Sequence, residues 1–372
     1  MNVNEFKNEH EYYMRRALEL AKGGWGRTNP NPLVGAVIVK DGEIIGEGFH
    51  EMLGCAHAEV VAFRNAKQDV RGGTLYVSLE PCSHFGRTPP CAEAIIRSGI
   101  KEVVVAMVDP NPKVAGRGIQ MLKDSGIDVT VGVLEDEARK LNEIFIKYIS
   151  CRRPFVIMKS AMTLDGKTAS AAGDSKWISG EASRQYVHVI RDRVCAIMVG
   201  INTVLKDNPS LTTRLDLKDG KDAVRVIVDS KGIIPLDSNV ITVDSTAGVI
   251  LAATSKIDSE KEKLLKDMGV RVIKADGNDG RVDLGVLMDE LYKLEIDSIL
   301  LEGGGTLNSA ALEAGIVDKA MIFIAPKIIG GENAITPVEG AGRLLMKDAV
   351  GLRDVNVSRF DEDVLIEWYI NG

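Results

Sequence analysis

An imidazole, a carboxyl group and two thiols restrict the fold of this chain most strongly, because a shared site requires the fold to bring them together. They belong to His57, Glu59, Cys82 and Cys91, which lie in three separate short segments of the sequence. Three protein ligands, an open fourth position for water and an acid or base beside it are typical of a hydrolytic zinc site. We therefore predict that His57, Cys82 and Cys91 bind zinc and that Glu59 carries protons next to it.

The residues around this group indicate how its members are positioned. His57 and Glu59 directly precede the apolar run 60–66, which predicts that both lie in the first turn of a helix. Cys82 follows a β-branched, apolar segment and is expected at the carboxyl end of a buried strand. Cys91 follows two prolines suited to the first positions of a helix, where the helix dipole favours a thiolate.

The spacing of the two cysteines departs from the usual deaminase pattern. Other residues are also candidate metal ligands. Zinc deaminases carry H-x-E followed by P-C-x-x-C, whereas residues 83–90 separate Cys82 from Cys91 here. A single H-x-E or a single cysteine is commonly structural. Cys55 is an alternative ligand, and His84 can bind either the metal or, as we favour, the substrate.

Composition excludes several classes of protein. With 372 residues, the chain is long enough for two domains. Its net charge of −7 argues against a nucleic-acid-binding surface. Five cysteines without framework spacing fit a reducing, cytoplasmic setting. Neither a signal peptide nor a membrane-spanning run is expected.

The order of predicted elements indicates two α/β domains. Asp41-Gly42 joins two strands in a hairpin, and strands then alternate with helices, which predicts an α/β sandwich with a partly parallel sheet. A helix over 135–148 closes this part, and a new strand–helix series begins after Pro154. We therefore predict domains at 1–150 and 151–372, the second ending in an edge strand at 364–370.

The second domain contains polar segments near predicted strand ends. Glu302 and the following glycines come after a strand and open a helix, where backbone N–H groups can face a phosphate. An ordinary turn is the alternative, since this is not the G-x-G-x-x-G fingerprint. Arg191 and Arg214 are candidate phosphate partners, with surface ion pairing as the alternative. The other polar segments are 161–167, 174–179 and 203–214. Together they predict one cleft for a large polar ligand.

Taken as a set, these motifs resemble those of the bacterial bifunctional deaminase–reductases of riboflavin biosynthesis. The matching segments are 29–39, 57–59, 80–91, 109–112, 164–166, 174–178, 203–214 and 302–304. The resemblance implies a cytidine-deaminase-like α/β/α sandwich followed by a dihydrofolate-reductase-like α/β domain. It also implies zinc and NADPH as cofactors and phosphorylated pyrimidines as small-molecule substrates.

The resemblance further implies roles for individual positions. His57, Cys82 and Cys91 match the zinc ligands, and Glu59 matches the catalytic proton donor. The substrate contacts of the first domain match Asn31, His84 and Arg87. The NADPH contacts match Ala161, Trp177, Thr203, Asp207, Ser230, Gly304, Gly305, Thr306 and Leu307. The substrate contacts of the second domain match Ser175, Arg191, Leu211, Arg214 and Glu302.

The expected chemistry is a hydrolytic deamination followed by a hydride transfer. Zinc makes water acidic enough for Glu59 to take its proton and pass it to the departing ammonia. The reductase site holds the nicotinamide against C1′ of the ribose and excludes water. No residue of this site is an obvious proton donor, and Lys159 and Asp165 are the candidates.

Two other functions remain to be weighed on sequence alone. One is a tRNA or nucleoside deaminase with an added domain, against which the acidic charge and the long cysteine gap argue. The other is a binding protein with structural zinc, which a fourth ligand such as Cys55 would favour. A homo-oligomer, dimer or tetramer, is expected because the edge strand of the second domain needs cover.

Overall fold

The chain folds into two units, Met1–Arg152 and Arg153–Gly372. The computed structural model describes residues 3–83, 90–112, 114–215 and 220–370, with side chains from residue 9 onwards. Each unit is built on its own β-sheet, to which helices are connected in sequence. The predicted mixed α/β class is therefore confirmed.

The first unit contains, in its described residues, a sheet of order β2-β1-β3-β4-β5. β1 is antiparallel to β2 and β3, whereas β3, β4 and β5 are parallel. The strands are β1 (Gly35–Lys40), β2 (Glu43–Phe49), β3 (Thr74–Val77), β4 (Glu102–Val105) and β5 (Asp128–Val131). The helices are α1 (Val3–Ala21), α2 (Ala58–Arg64), α3 (Cys91–Ser98), α4 (Arg117–Asp124), α5 (Glu135–Leu141) and α6 (Glu143–Cys151). The predicted partly parallel sheet is confirmed.

Strand β1 is buried on both faces of this sheet. Ala36 and Ile38 point into one apolar cluster, and the alternate residues Val37 and Val39 point into another. Because successive side chains leave a strand on opposite faces, one apolar run supplies both cores. The Asp41-Gly42 turn that ends β1 has positive φ at both residues, 52° and 79°, as a tight hairpin requires.

The second unit contains, within the described part, a sheet of order β10-β9-β8-β7-β11-β6-β12-β14-β13. Its strands are β6 (Phe155–Thr163), β7 (Ala196–Gly200), β8 (Val224–Val228), β9 (Val249–Ala253), β10 (Val270–Lys274), β11 (Ser298–Leu301), β12 (Lys319–Ala325), β13 (Leu352–Phe360) and β14 (Asp363–Ile370). Its helices are α7 (Glu181–Arg193), α8 (Ile201–Asp207), α9 (Asn239–Thr242), α10 (Ser259–Asp267), α11 (Leu284–Lys293) and α12 (Gly305–Glu313). Strands β6 to β12 are parallel, so their carboxyl ends share one edge.

Two predicted elements differ from the structure. The strand predicted at the sheet edge, 364–370, is internal, because β13 pairs with β14 and takes the edge position. Strand β13 is exposed along most of its length and was not predicted as a strand, so the edge position was given to 364–370. The single helix predicted over 135–148 is two helices, α5 and α6. They meet at Asn142, whose side chain bonds the backbone N–H and carbonyl of Leu33.

Candidate metal centre and cofactor cleft

Helix α2 positions two of the predicted site residues. His57 is its N-cap residue, with extended backbone, and its carbonyl accepts the N–H of Val61 at 3.1 Å. Glu59 lies in the first turn, and its side chain is only 3% exposed. A helix start thus holds an imidazole and a carboxyl group on one rigid element, as the sequence indicated.

Cys82 and Cys91 converge on His57. Cys82 lies in the segment after β3, and Cys91 is the first residue of α3. Nδ1 of His57 is 3.2 Å from Sγ of Cys91 and 3.6 Å from Sγ of Cys82. The backbone N–H of Cys91 donates to Sγ of Cys82 at 3.2 Å. All three side-chain ligand atoms lie within 4.8 Å of one another.

This spacing fits a tetrahedral zinc ion. Zn–S bonds of about 2.3 Å and Zn–N bonds of about 2.0 Å at a tetrahedral angle separate nitrogen from sulfur by about 3.6 Å. The separations of His57 Nδ1 from the two sulfurs are 3.2 and 3.6 Å. One nitrogen and two sulfurs form the ligand set of a catalytic zinc site that keeps a fourth position open.

The electrostatics of the cluster favour a negative charge on sulfur. A hydrogen bond from the Cys91 thiol and the neighbouring His57 lower the pKa of Cys82, against the opposing effect of burial. The pKa of Cys91 is raised by that same hydrogen bond and by burial. The backbone N–H of Cys91, which donates to the Cys82 sulfur, likewise favours a thiolate at that position.

Glu59 is buried beside the two cysteines. Burial is the main cause that raises its pKa to about 6, and the charge on Cys82 adds to the effect. A carboxyl group with a pKa close to neutrality can accept a proton in one step and donate it in another. Glu59 is thus suited to proton transfer rather than to a surface ion pair.

His50 is a polar neighbour that the sequence reading did not single out. Its Nε2 lies 3.3 Å from the amide nitrogen of Asn31, and its Nδ1 lies 3.1 Å from the carbonyl oxygen of Ala56. The His50 ring also packs edge-on against the ring of His57 at 5.7 Å. His50 therefore connects Asn31, a predicted substrate contact, to the segment that carries His57. His50 directly follows β2, and no sequence motif around it predicted a role in the site.

Several predicted residues of the first domain lie elsewhere. His84 and Arg87 are outside the described residues. Cys55 is exposed and does not belong to the ligand cluster found among the described residues. The alternative of a four-ligand site closed by Cys55 therefore receives no support from the structure.

The predicted residues of the second domain collect at one edge of its sheet. Ala161 lies towards the carboxyl end of β6, Thr203 on α8 after β7, and Ser230 directly after β8. Glu302 and Gly304 follow β11, and Gly304 is the N-cap of α12. Open α/β sheets bind ligands at this edge, outside the carboxyl ends of the strands. The remaining residues of the glycine segment, Gly305, Thr306 and Leu307, form the first turn of α12.

Thr203 and Gly304 are neighbours across this edge. A Cβ atom built on Gly304 would lie 3.9 Å from the Thr203 hydroxyl oxygen. Thr203 is part of α8, which ends at Asp207, so the 203–214 segment begins as a helix. Leu211, further along the segment, is buried with φ of 53°, and Arg214 is exposed. The first part of this segment and the start of α12 thus lie side by side.

Arg191 and Glu302 are also brought together. The guanidinium of Arg191 donates to both oxygens of Glu302, at 2.7 and 2.9 Å, and to the carbonyl of Thr212 at 3.0 Å. Lys159 is partly buried near the pair, and burial is the main cause that lowers its pKa. Arg191 therefore pairs with a largely buried carboxylate rather than lying on the surface.

Trp177 and Asp165 belong to exposed loops at the rim of this edge. The ring of Trp177 is 63% exposed, and the Arg184 guanidinium lies over it at 4.7 Å. The carboxylate of Asp165 accepts from the Thr163 hydroxyl at 2.6 Å and from the N–H of Gly330 at 2.7 Å. These bonds lower the pKa of Asp165. Ser175 lies in the same exposed loop region as Trp177.

In the described part of the chain, helices long and apolar enough to cross a membrane are absent.

Comparison with known proteins gives the same two-part organisation. Residues 7–107 match the cytidine and deoxycytidylate deaminase zinc-binding region, and residues 154–366 match the RibD C-terminal domain. The riboflavin biosynthesis protein RibD of Actinobacillus pleuropneumoniae is 46% identical over 99% of this chain and 97% of its own length. The RibD protein of Escherichia coli K12 is 42% identical over 87% of this chain and 89% of its own.

Solved structures of this family share the fold over the full length. One is a diaminohydroxyphosphoribosylaminopyrimidine deaminase/5-amino-6-(5-phosphoribosylamino)uracil reductase of Thermotoga maritima. It has a TM-score of 0.87 at 41% identity and covers 98% of this chain and 100% of its own. RibD of Acinetobacter baumannii gives a TM-score of 0.88 at 39% identity, with 98% and 100% coverage. The expected pair of folds is confirmed, and with it zinc and NADPH as the cofactors of the two domains. The chain therefore belongs to the bifunctional deaminase–reductase family of riboflavin biosynthesis.

Proposed function

We propose that the domain over residues 1–150 deaminates a pyrimidine with His57, Cys82 and Cys91 as the zinc ligands. The observation that carries this proposal is the convergence of these three side chains next to the buried carboxyl group of Glu59. The substrate we infer is 2,5-diamino-6-ribosylamino-4(3H)-pyrimidinone 5′-phosphate, which loses its 2-amino group. The deaminase and reductase activities for which the Thermotoga maritima relative is named support this choice.

Each residue of this centre has a separate task. His57, Cys82 and Cys91 would hold zinc, which would supply a Lewis acid at this centre. Glu59 is the group that takes a proton from water and returns it to the nitrogen that leaves as ammonia, for which a pKa of about 6 is suitable. Asn31 is the proposed contact of the pyrimidine ring, and its hydrogen bond to His50 supports this role. His84 and Arg87 remain proposed contacts of the base and the phosphate.

We propose that the domain over residues 151–372 reduces the ribose of 5-amino-6-(5-phosphoribosylamino)uracil to a ribityl chain. NADPH supplies the hydride. The cofactor contacts we propose are Ala161, Trp177, Thr203, Asp207, Ser230 and the start of α12 from Gly304 to Leu307. The first N–H groups of a helix lack partners within the helix and suit a phosphate. The substrate contacts are Ser175, Arg191, Leu211, Arg214 and Glu302.

Lys159 is the better of the two candidate proton donors in this domain. Asp165 is kept ionised by its hydrogen bonds to Thr163 and Gly330, so it has little tendency to carry a proton. Burial makes Lys159 a stronger acid than a free lysine, and it lies near Glu302. We therefore assign Lys159 as the group that protonates the opening ribose.

We further propose a cytoplasmic homo-oligomer, a dimer or a tetramer. The cytoplasmic setting is supported by five free cysteines without a framework pattern. The assembly is supported by the edge strand β13, on which Val355 and Val357 are 61% and 60% exposed. Exposed edges and apolar patches of this kind are commonly covered by a partner.

One experiment tests both activities. The purified chain is incubated with the diamino-pyrimidine substrate, with and without NADPH, and the products are identified by mass. We expect the deaminated product alone without NADPH and the ribityl product with it. Unchanged substrate in both reactions would refute the proposed deaminase. Deaminated product that persists when NADPH is present would refute the proposed reductase.

A further inference from the structure

A carboxyl group without a task in the proposed reaction is buried close to Cys82. Glu80 is 3% exposed, and its oxygens accept four backbone N–H groups. Oε2 accepts from Asp109 at 3.2 Å and from Gly116 at 2.8 Å. Oε1 accepts from Gly118 at 2.9 Å and from Ile119 at 3.3 Å. Three of these donors belong to the start of α4, where N–H groups lack partners within the helix.

A close backbone contact accompanies these hydrogen bonds. A Cβ atom on Gly118 would lie 2.0 Å from the carbonyl oxygen of Pro81, so only glycine fits there. The first turn of α4 therefore rests directly on the peptide between Glu80 and Cys82. Gly118 and Glu80 together fix this peptide against α4.

Cys82 is held from its other side by α3. The N–H of Cys91 donates to the Cys82 sulfur, and the N–H of Ala92 donates to the Cys82 carbonyl, both at 3.2 Å. Cys82 thus lies between a helix that bonds its sulfur and a helix tied to Glu80. Pro81 connects the two attachments, and its ring restricts rotation about its own φ angle.

We propose that Glu80 is a positioning residue that fixes the sulfur of Cys82 for zinc through α4. The inference depends on the proposed ligand set, because it assumes that Cys82 binds the metal. Without the four hydrogen bonds, the segment carrying Cys82 moves independently of α4, and the sulfur leaves its place more often. Groups that orient metal ligands change metal affinity or activity by about 10- to 100-fold when they are altered.

The test is the rate at which the zinc-loaded, full-length chain transfers its metal to the chelator 4-(2-pyridylazo)resorcinol. Glu80→Gln keeps the volume of the side chain but turns an NH2 group towards backbone N–H donors. We expect transfer to be about 10-fold faster or more, with slower ammonia release and an unchanged reductase rate. The matched control is Glu93→Gln, since Glu93 lies near Cys91 but bonds only Arg97, at 3.2 Å, among the contacts described. Its zinc transfer should equal that of the wild type.

Gly118→Ala is a second, independent variant. Its methyl group displaces α4 from Pro81 without changing any charge, and we expect faster zinc transfer here too. This variant decides the matter if Glu80→Gln does not fold, as judged by circular dichroism. Wild-type transfer rates in the folded variants would overturn the inference, even if their melting temperatures fell. A wild-type chain that holds no zinc would instead refute the proposed ligand set.

Discussion

Arg191 and Glu302 form a bidentate ion pair, and their side chains are only 12% and 14% exposed. Burial by itself would raise the pKa of Glu302, but the charges of Arg191 and Lys159 outweigh it and hold that pKa below its usual range. Glu302 is therefore ionised at neutral pH. The guanidinium of Arg191 fixes the orientation of this carboxylate at the carboxyl end of β11.

Removing one partner of this pair should damage the second unit alone. Arg191→Met leaves the Glu302 carboxylate buried without its counter-ion, which costs about 3–5 kcal/mol. We expect urea unfolding of this unit at lower concentration and loss of NADPH oxidation, while ammonia release persists. Arg153→Met is the control, because the Arg153–Asp289 pair is exposed and is worth at most about 1 kcal/mol. Equal losses of stability and of NADPH oxidation in the two variants would contradict this interpretation of the Arg191–Glu302 pair.

Glu59→Gln should separate metal binding from deamination. The amide keeps the size of the side chain but cannot take a proton from water, so ammonia release should fall by about 100-fold or more. Zinc content, measured by mass spectrometry of the metal, should stay at one per chain. The reductase rate serves as the control for folding and should be unchanged. Loss of both activities together would argue against independent domains.

Cys91→Ser should release zinc from the candidate metal centre. A hydroxyl group is a poorer zinc ligand than a thiolate, so we expect bound zinc to fall sharply below one equivalent. The comparison is Cys55→Ser, since Cys55 is exposed and lies outside the cluster. That variant should keep its zinc. If Cys55→Ser lost its zinc and Cys91→Ser kept it, Cys55 rather than Cys91 would be the metal ligand.

The reductase rate should depend on the ionisation of Lys159. Burial is the main cause that lowers the pKa of Lys159. The negative charge of Glu302 raises this pKa and the positive charge of Arg191 lowers it, and the net result is below the usual value. Its acidic form is therefore lost as pH rises through that lowered pKa, and the rate should decline before pH reaches about 10.4. Lys159→Met should lower the rate by about 100-fold and abolish this alkaline decline.

Lys319→Met is the control for that pH profile. Lys319 begins β12, at the amino end of the strand, and pairs with Glu367 at 3.3 Å. It therefore lies away from the carboxyl edge where the predicted contacts collect. A profile that keeps its alkaline decline in Lys159→Met would assign the proton to another group.

Charge on the exposed edge strand should prevent assembly. Val355→Lys and Val357→Lys place ammonium groups on β13, where an apolar partner surface could not pair them. We expect light scattering after size-exclusion chromatography to give an oligomer for the wild type and a smaller species for the double variant. Val286→Lys is the control, because Val286 is 41% exposed on α11 rather than on the edge. A monomeric wild type would end the proposal of an oligomer.

The sequence predicted the elements that depend on local pattern. The Asp41-Gly42 hairpin, the helix start at His57 and the buried strand β3 before Cys82 were all predictable from neighbouring residues, because turn chemistry and apolar patterning act over a few positions. The deaminase motif was readable for the same reason. Its histidine, glutamate and cysteines occur in short segments of recognisable type.

The tertiary structure decided what depends on contacts between distant segments. The edge position of β13, the link from His50 to Asn31 and the bonds of Glu80 to α4 had no local signature. A carboxyl group in sequence looks the same whether it faces water or four backbone N–H groups. Only the packing of α4 against the segment before Cys82 distinguishes the two, because hydrogen-bond partners are set by distance in space and not along the chain.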